Sequence, residues 1–203
     1  MPAKADKEKQ KLFLVERLEP LIEQALENKI KLFFMDGVHL TYGAELGYSW
    51  SIEPVIVKSA YGRKRFNVLG AYDLKTSKTE FISNDTYLNA ESVALLFKQI
   101  RENNAEKEIH MVLDNAKYQK CQLVEDAAKE YNIILEYLPS YSPNLNLIER
   151  LWKWLRKKCL CNKYRETFKE FCSDILETLS QTGTTFIDTV QKWLTPNFII
   201  LGD

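Results

Sequence analysis

Three carboxylates stand where the chain could gather them. Asp36 ends the apolar run Ile30-Lys-Leu-Phe-Phe-Met35, and Asp114 ends Ile109-His-Met-Val-Leu113. Glu149 lies just ahead of a segment rich in Trp, Leu, Lys and Arg that reads as a helix. Acids at the carboxyl ends of hydrophobic strands lie where open α/β sheets collect ligands. Two such acids and a third on a helix could hold a pair of divalent cations for phosphodiester chemistry. Each acid also has a plainer reading. Asp114-Asn115 and Asp36-Gly37 are common turn pairs, and a glutamate in the first turn of a helix suits its dipole. Their joint placement favours a site.

Other metal chemistry is poorly supplied. The chain has only two histidines, His39 and His110, and four cysteines with no C-x-x-C pair. Cys159-Leu-Cys161 is too tight for the usual zinc knuckle, so reduced, packed cysteines are expected. No apolar stretch reaches the ~18–20 residues of a membrane span. The N-terminus is polar and lacks the apolar core of a signal peptide, so a cytoplasmic protein is expected. The 28 basic and 28 acidic residues cancel, which argues against a surface that binds nucleic acid all over. The distribution is uneven, however. Arg150 to Arg165 contains seven basic residues and no acid, and a smaller basic knot, Arg63-Lys-Arg65, follows Lys58.

The elements that must position the acids follow from periodicity. Leu12, Val15, Leu18, Ile22 and Leu26 predict a helix over about 6–28, with Pro20 marking a kink or a second start. Strands are expected at 30–35, 47–52, 65–72 and 79–82, the region from Gly43 to Lys78 reading as an antiparallel meander. A helix over 89–101, capped by Asn89, comes next. A strand at 109–113, a helix at about 118–131 and a strand at 133–137 make a β-α-β unit. The two strands alternate little, as if covered on both faces. Pro139 and Pro143 force a loop before the helix that bears Glu149, and a further helix spans about 166–180. The order predicts an α/β protein with a mixed sheet flanked by helices, an arrangement that an RNase H-like fold satisfies.

The stretch Leu138-Pro-Ser-Tyr-Ser-Pro-Asn-Leu-Asn-Leu-Ile-Glu-Arg-Leu-Trp152 resembles the L-P-x-Y-S-P-x-L-N-x-I-E-x-x-W signature of mariner superfamily DDE transposases, particularly their bacterial insertion-sequence branch. Leu113-Asp-Asn-Ala-Lys-Tyr118 is similar to the second-acid motif, Phe33-Phe-Met-Asp36 to the first, and 34 residues separate Asp114 from Glu149. Two departures stand out. Leu147 replaces a frequent Pro, implying a looser helix entry, and Gly37 replaces a frequent acid.

The resemblance implies an RNase H-like catalytic domain over 30–160, an α/β fold with a mixed five-stranded sheet flanked by helices, preceded by a linker helix at 1–29 and followed by a helical extension at 161–203 packed on the same domain. It implies DNA cleavage and strand transfer with Mg²⁺, or Mn²⁺ in its place, two ions per site. Asp36 would bridge them, with Asp114 and Glu149 each holding one. All-oxygen ligands suit these hard cations. Asn115 becomes a candidate support or DNA contact. Lys153 and Arg156 fall at i+4 and i+7 from Glu149 and, with Lys157, are candidates for DNA phosphates, while Trp152 is expected to pack. Tyr141 and Ser142 could contact a strand end. The implied partners are transposon ends and target DNA, with TA as the family's target, and a second copy in a homodimer. The tail 193–201 is a candidate interface, with core packing favoured. A helix-turn-helix segment is expected from another reading frame, unless the sequence is a truncated copy. Two alternatives stay open: a catalytically idle regulator of a full-length transposase, or another RNase H-like nuclease.

Overall fold

The computed structural model describes residues 6–45, 47, 52, 56–58 and 64–200. Most of the strand expected at 47–52, and Arg63 of the basic knot, lie outside them. Five strands form one sheet in the order β3-β2-β1-β4-β5. β1 (Lys31–Thr41) runs antiparallel to β2 (Arg65–Asp73), which runs antiparallel to β3 (Thr79–Asn84). β4 (Ile109–Leu113) is parallel to β1 and to β5 (Ile133–Tyr137). The expected mixed five-stranded sheet flanked by helices is therefore present.

Strand alternation divides the core in two. Leu32, Phe34, Val38 and Leu40 of β1 face one cluster, shared with the N-terminal helices α1 (Lys7–Phe13) and α2 (Glu19–Leu26) and with α5 (Ile148–Cys159), α6 (Phe168–Ser180) and α7 (Ile187–Trp193). Phe33 and Met35 face the other, against α3 (Ala90–Asn103) and α4 (Gln122–Glu130). Asn89 caps α3 and Thr167 caps α6, each in a reciprocal capping box.

Four expectations change. β1 does not end at Asp36 but runs on to Thr41 beside β2, with Asp36 opposite Gly70. What ends there is the parallel pairing, whose last partners are Phe34 and Val112. β5 is not covered on both faces: Ile134 is 38% exposed. The helix expected from 118 begins at Gln122. Finally, the first helix changes phase. A π-helical turn, Leu14–Leu18, precedes Pro20, and the Glu19 N–H bonds the Leu14 carbonyl. The wider turn accommodates a proline that has no N–H to give. It also rotates the buried stripe to Gln10, Leu14, Leu18, Leu21, Ile22 and Ala25, leaving Leu12, Val15 and Leu26 exposed.

A closed polar cluster lies at the start of β4. His110 Nδ1 is 2.8 Å from Glu136 and Nε2 is 2.9 Å from Glu108. Both carboxylates can only accept, so both ring nitrogens donate and the imidazolium is held. Arg17, from the π-helical turn, donates two more bonds to Glu136, at 2.7 and 2.8 Å. Burial opposes charge here, but the hydrogen bonds prevail. His110 is raised above its ordinary range and Glu136 is lowered.

Candidate active site

Asp36, Asp114 and Glu149 line one cavity of about 400 Å³, walled by the 138–143 loop. The sheet's parity explains the meeting. Asp36 falls on the same face of β1 as Phe34 and Val38, under α5. Asp114 follows β4 two residues beyond Val112, and Glu149 sits in the first turn of α5. Asp114 Oδ1 accepts the Ala116 N–H at 2.8 Å. The turn and the cavity thus use the same carboxylate, which has a second oxygen. Among the described residues, no three His, Cys, Asp or Glu side chains are gathered closely enough to hold a metal ion as they stand.

The acids feel one another nonetheless. Burial, then the facing Glu149 and Asp114 charges, push Asp36 up to about 7 against the favourable Gly37 N–H. Burial and Asp114 also raise Glu149, although Lys153 and Arg156 pull the other way. Carboxylates crowded in a half-buried cavity resist ionising together. The donor set is entirely oxygen, which fits a hard divalent cation.

The remaining predicted residues divide. Asn115 donates to the Leu138 carbonyl at 2.5 Å and accepts from Lys120 at 3.2 Å, clamping the Asp114 turn to the cavity loop. Tyr141 is exposed and takes a left-handed φ of 61°, while the buried Ser142 hydroxyl turns back to the Ser140 carbonyl. Lys153 is exposed beside Glu149. Arg156 is instead bound to protein, pairing with Glu45 and donating to the His39 carbonyl at 3.0 Å. Lys157 lies 5.4 Å above the Trp193 ring. Arg150 likewise holds the tail through the Thr195 and Asn197 carbonyls, and Phe198 and Ile200 pack against the core. Leu147 needs no proline: its φ is −62° and its side chain is fully buried.

Four residues at the site carried no assignment of this kind. Trp152 packs on β2 where a Cβ at Gly70 would come within 2.6 Å of its ring. Its indole N–H favours the Asp36 charge, yet it forms no hydrogen bond of regular geometry among the described residues. Tyr118 closes over Gly37, where a Cβ would meet its hydroxyl at 2.8 Å and Leu88 at 2.7 Å, so a side chain there would displace both side-chain ends. Burial, with Asp36 and Asp114 nearby, pushes the phenol up to about 12. Asn146 is buried on the cavity wall. Gln10 of α1 donates to the Tyr141 carbonyl and accepts from Asn144, bracing the cavity loop. Gln10 lies off the apolar stripe that periodicity predicts for the first helix, and it reaches the core side only through the π-helical turn.

The family described as DDE superfamily endonuclease matches residues 31–172. No curated protein matches the sequence significantly. Among solved structures, the Mos1 strand transfer complex aligns with a TM-score of 0.65 at 13% identity, covering 95% of this chain and 62% of that one. The catalytic domain of Mos1 mariner transposase aligns at 0.57 and 10% identity, covering 94% and 97%. A simian T-cell lymphotropic virus intasome aligns at 0.52 and 11%, covering 74% and 47%. The chain spans 62% to 66% of the length of the Mos1 chains in the strand transfer and left-end complexes. At such identities the likeness is one of fold, and that fold is RNase H-like.

Proposed function

The chain belongs to the DDE superfamily endonucleases, and on that premise we propose that it is the catalytic domain of a transposase of the mariner superfamily's bacterial insertion-sequence branch. The observation that carries this reading is the cavity in which Asp36, Asp114 and Glu149 share a wall with the 138–143 loop. In this proposal two Mg²⁺ or Mn²⁺ ions would be held by the three acids, Asp36 as the shared ligand and Asp114 and Glu149 as ligand to one ion each. Such ions, when bound, supply an activated oxygen nucleophile and relieve charge on the scissile phosphate.

The chain's own residues do the rest. Asp36 gives up its proton on binding, Asn115 keeps the Asp114 turn against the loop, and Lys153 meets a DNA phosphate beside the cavity. Lys157 extends that line one helical turn, about 6 Å, along α5. Cleavage at the element's ends and attack of the freed 3′-hydroxyl on a TA target complete the proposed reaction. Two DNA ends in one complex call for a homodimer. The unit boundaries at 29 and 160 belong to the same proposal.

Nicking of supercoiled plasmid in Mn²⁺ and Mg²⁺, comparing the natural sequence with Glu149→Gln, tests this reading. Metal-dependent nicking that the variant loses is the expected result. Equal nicking by a folded variant would sink it. A folded protein that binds metal and never nicks would favour the regulator.

A further inference from the structure

The structure assigns Asn146 a part in the site: a positioning residue that locks the Asp36 strand to the Glu149 helix and presents a carbonyl oxygen to the bound cation. The inference rests on the three-acid reading above. Past the last parallel pair, Phe34 and Val112, the sheet offers the Met35 carbonyl no β4 partner. Asn146 Nδ2 supplies the missing hydrogen bond at 3.1 Å, one residue before Asp36. The Asn146 backbone carbonyl meanwhile accepts the Glu149 N–H at 3.2 Å. One residue therefore joins the backbone beside two of the three acids.

Arg156 makes a second brace farther along, from α5 to the His39 carbonyl at 3.0 Å. Asp36 lies between Met35 and His39 on one element, and Glu149 between Asn146 and Arg156 on the other. The two ties fix where the helix sits along the strand, and hence where Glu149 stands relative to Asp36.

The other half of the amide is the independent observation. Asn146 is 3% exposed, and its Oδ1 has no hydrogen-bond partner among the described residues. A buried carbonyl left without a donor is costly and uncommon in folded proteins. This one belongs to a residue lining the same cavity as all three acids. Amide carbonyls are ordinary oxygen ligands for hard divalent cations and ordinary acceptors for the waters such cations keep. The Nδ2 bond to a carbonyl fixes the amide's orientation, since Oδ1 could not take that place.

Mn²⁺ is the probe. Calorimetric Mn²⁺ affinity, thermal melting and plasmid nicking at saturating Mn²⁺ should be measured for the natural sequence, Asn146→Ala, Asn146→Asp and Asp114→Asn. Asn146→Ala is expected to bind Mn²⁺ about 10- to 100-fold more weakly, the usual loss when a support of a metal ligand is removed. Asn146→Asp keeps an oxygen but cannot donate to Met35. It should recover Mn²⁺ affinity while nicking stays at least about tenfold down, a split that a purely structural role would not produce. A folded Asn146→Ala with unchanged Mn²⁺ affinity, alongside an Asp114→Asn that loses it, would overturn the assignment of Asn146 alone. Unchanged Mn²⁺ affinity in Asp114→Asn would fell the three-acid reading and this one with it.

Discussion

The two ends of β4 carry polar clusters of opposite character. At its start, Glu136 and Glu108 meet His110 and Arg17, and each ring nitrogen and guanidinium donor involved has a carboxylate to bond. At its end, roughly 13 Å away at strand rise, Asp114 shares a cavity with two further acids. Asp36 there is pushed up to about 7, and the buried Asn146 Oδ1 and Trp152 Nε1 lack regular hydrogen bonds among the described residues. The first cluster is electrostatically complete and holds the N-terminal helix to the sheet. The second sets three acids against only the Lys153 and Arg156 charges beside Glu149, a deficit that a cation would fill. The lesson is that unsatisfied polarity, more than polarity itself, separates a candidate site from a structural tie.

That contrast can be broken most severely at Asp114. Asp114→Asn should reduce metal-dependent nicking to background while circular dichroism and melting temperature stay near those of the natural sequence. Glu136→Ala should do the reverse. It removes the buried centre of the closed cluster, costing about 2–4 kcal/mol of stability by urea denaturation, with nicking retained at temperatures where the variant is folded.

A finer test uses the sign of a substitution. Asp36→Asn should stabilise the metal-free protein at pH 8, by roughly 1–2 kcal/mol after solvent screening, although it abolishes Mn²⁺ binding. The sign follows from linkage: an acid raised in the fold binds more protons there than when unfolded. Stability should therefore fall as pH rises from about 4 to 7, and Asp36→Asn should flatten that slope. Mn²⁺ affinity should climb with pH over the same range and level off above about 7. The His110 tie behaves differently. His110 is raised, so its contribution is full below about 6.5 and is lost as pH rises through the folded value. Glu136 is lowered, so its contribution is present above about 4.5 and is lost on acidification through its folded value. The smallest effect is expected at Lys153. Lys153→Ala should weaken DNA binding a few-fold and reduce the log-affinity against log-salt slope by about one. An unchanged slope would remove Lys153 from the DNA-contacting face.

Much of this was legible from local pattern. The runs ending at Met35 and Leu113, the Asn89 cap and the Trp/Leu periodicity of α5 each show within a dozen residues. What the sequence hid depends on partners far along the chain. β1 continues past a charge and a glycine because β2, some 30 residues on, pairs with it. Arg156 looked available for phosphate, but Glu45 engages it across 111 residues, while Lys157 lies over the Trp193 ring and stays exposed. The π-helical turn had a local signal in Pro20, yet its effect on the buried stripe depends on how the helix wraps to absorb the missing N–H.

Gly70 lies opposite Asp36, beneath the Trp152 ring. Even a methyl group there would lift the indole and tilt the first two turns of α5 away from the sheet. Positions 70 and 152 should therefore drift as a pair through descent: wherever a homologue has Ala or Ser at the first, a smaller ring or an aliphatic side chain should replace the tryptophan at the second.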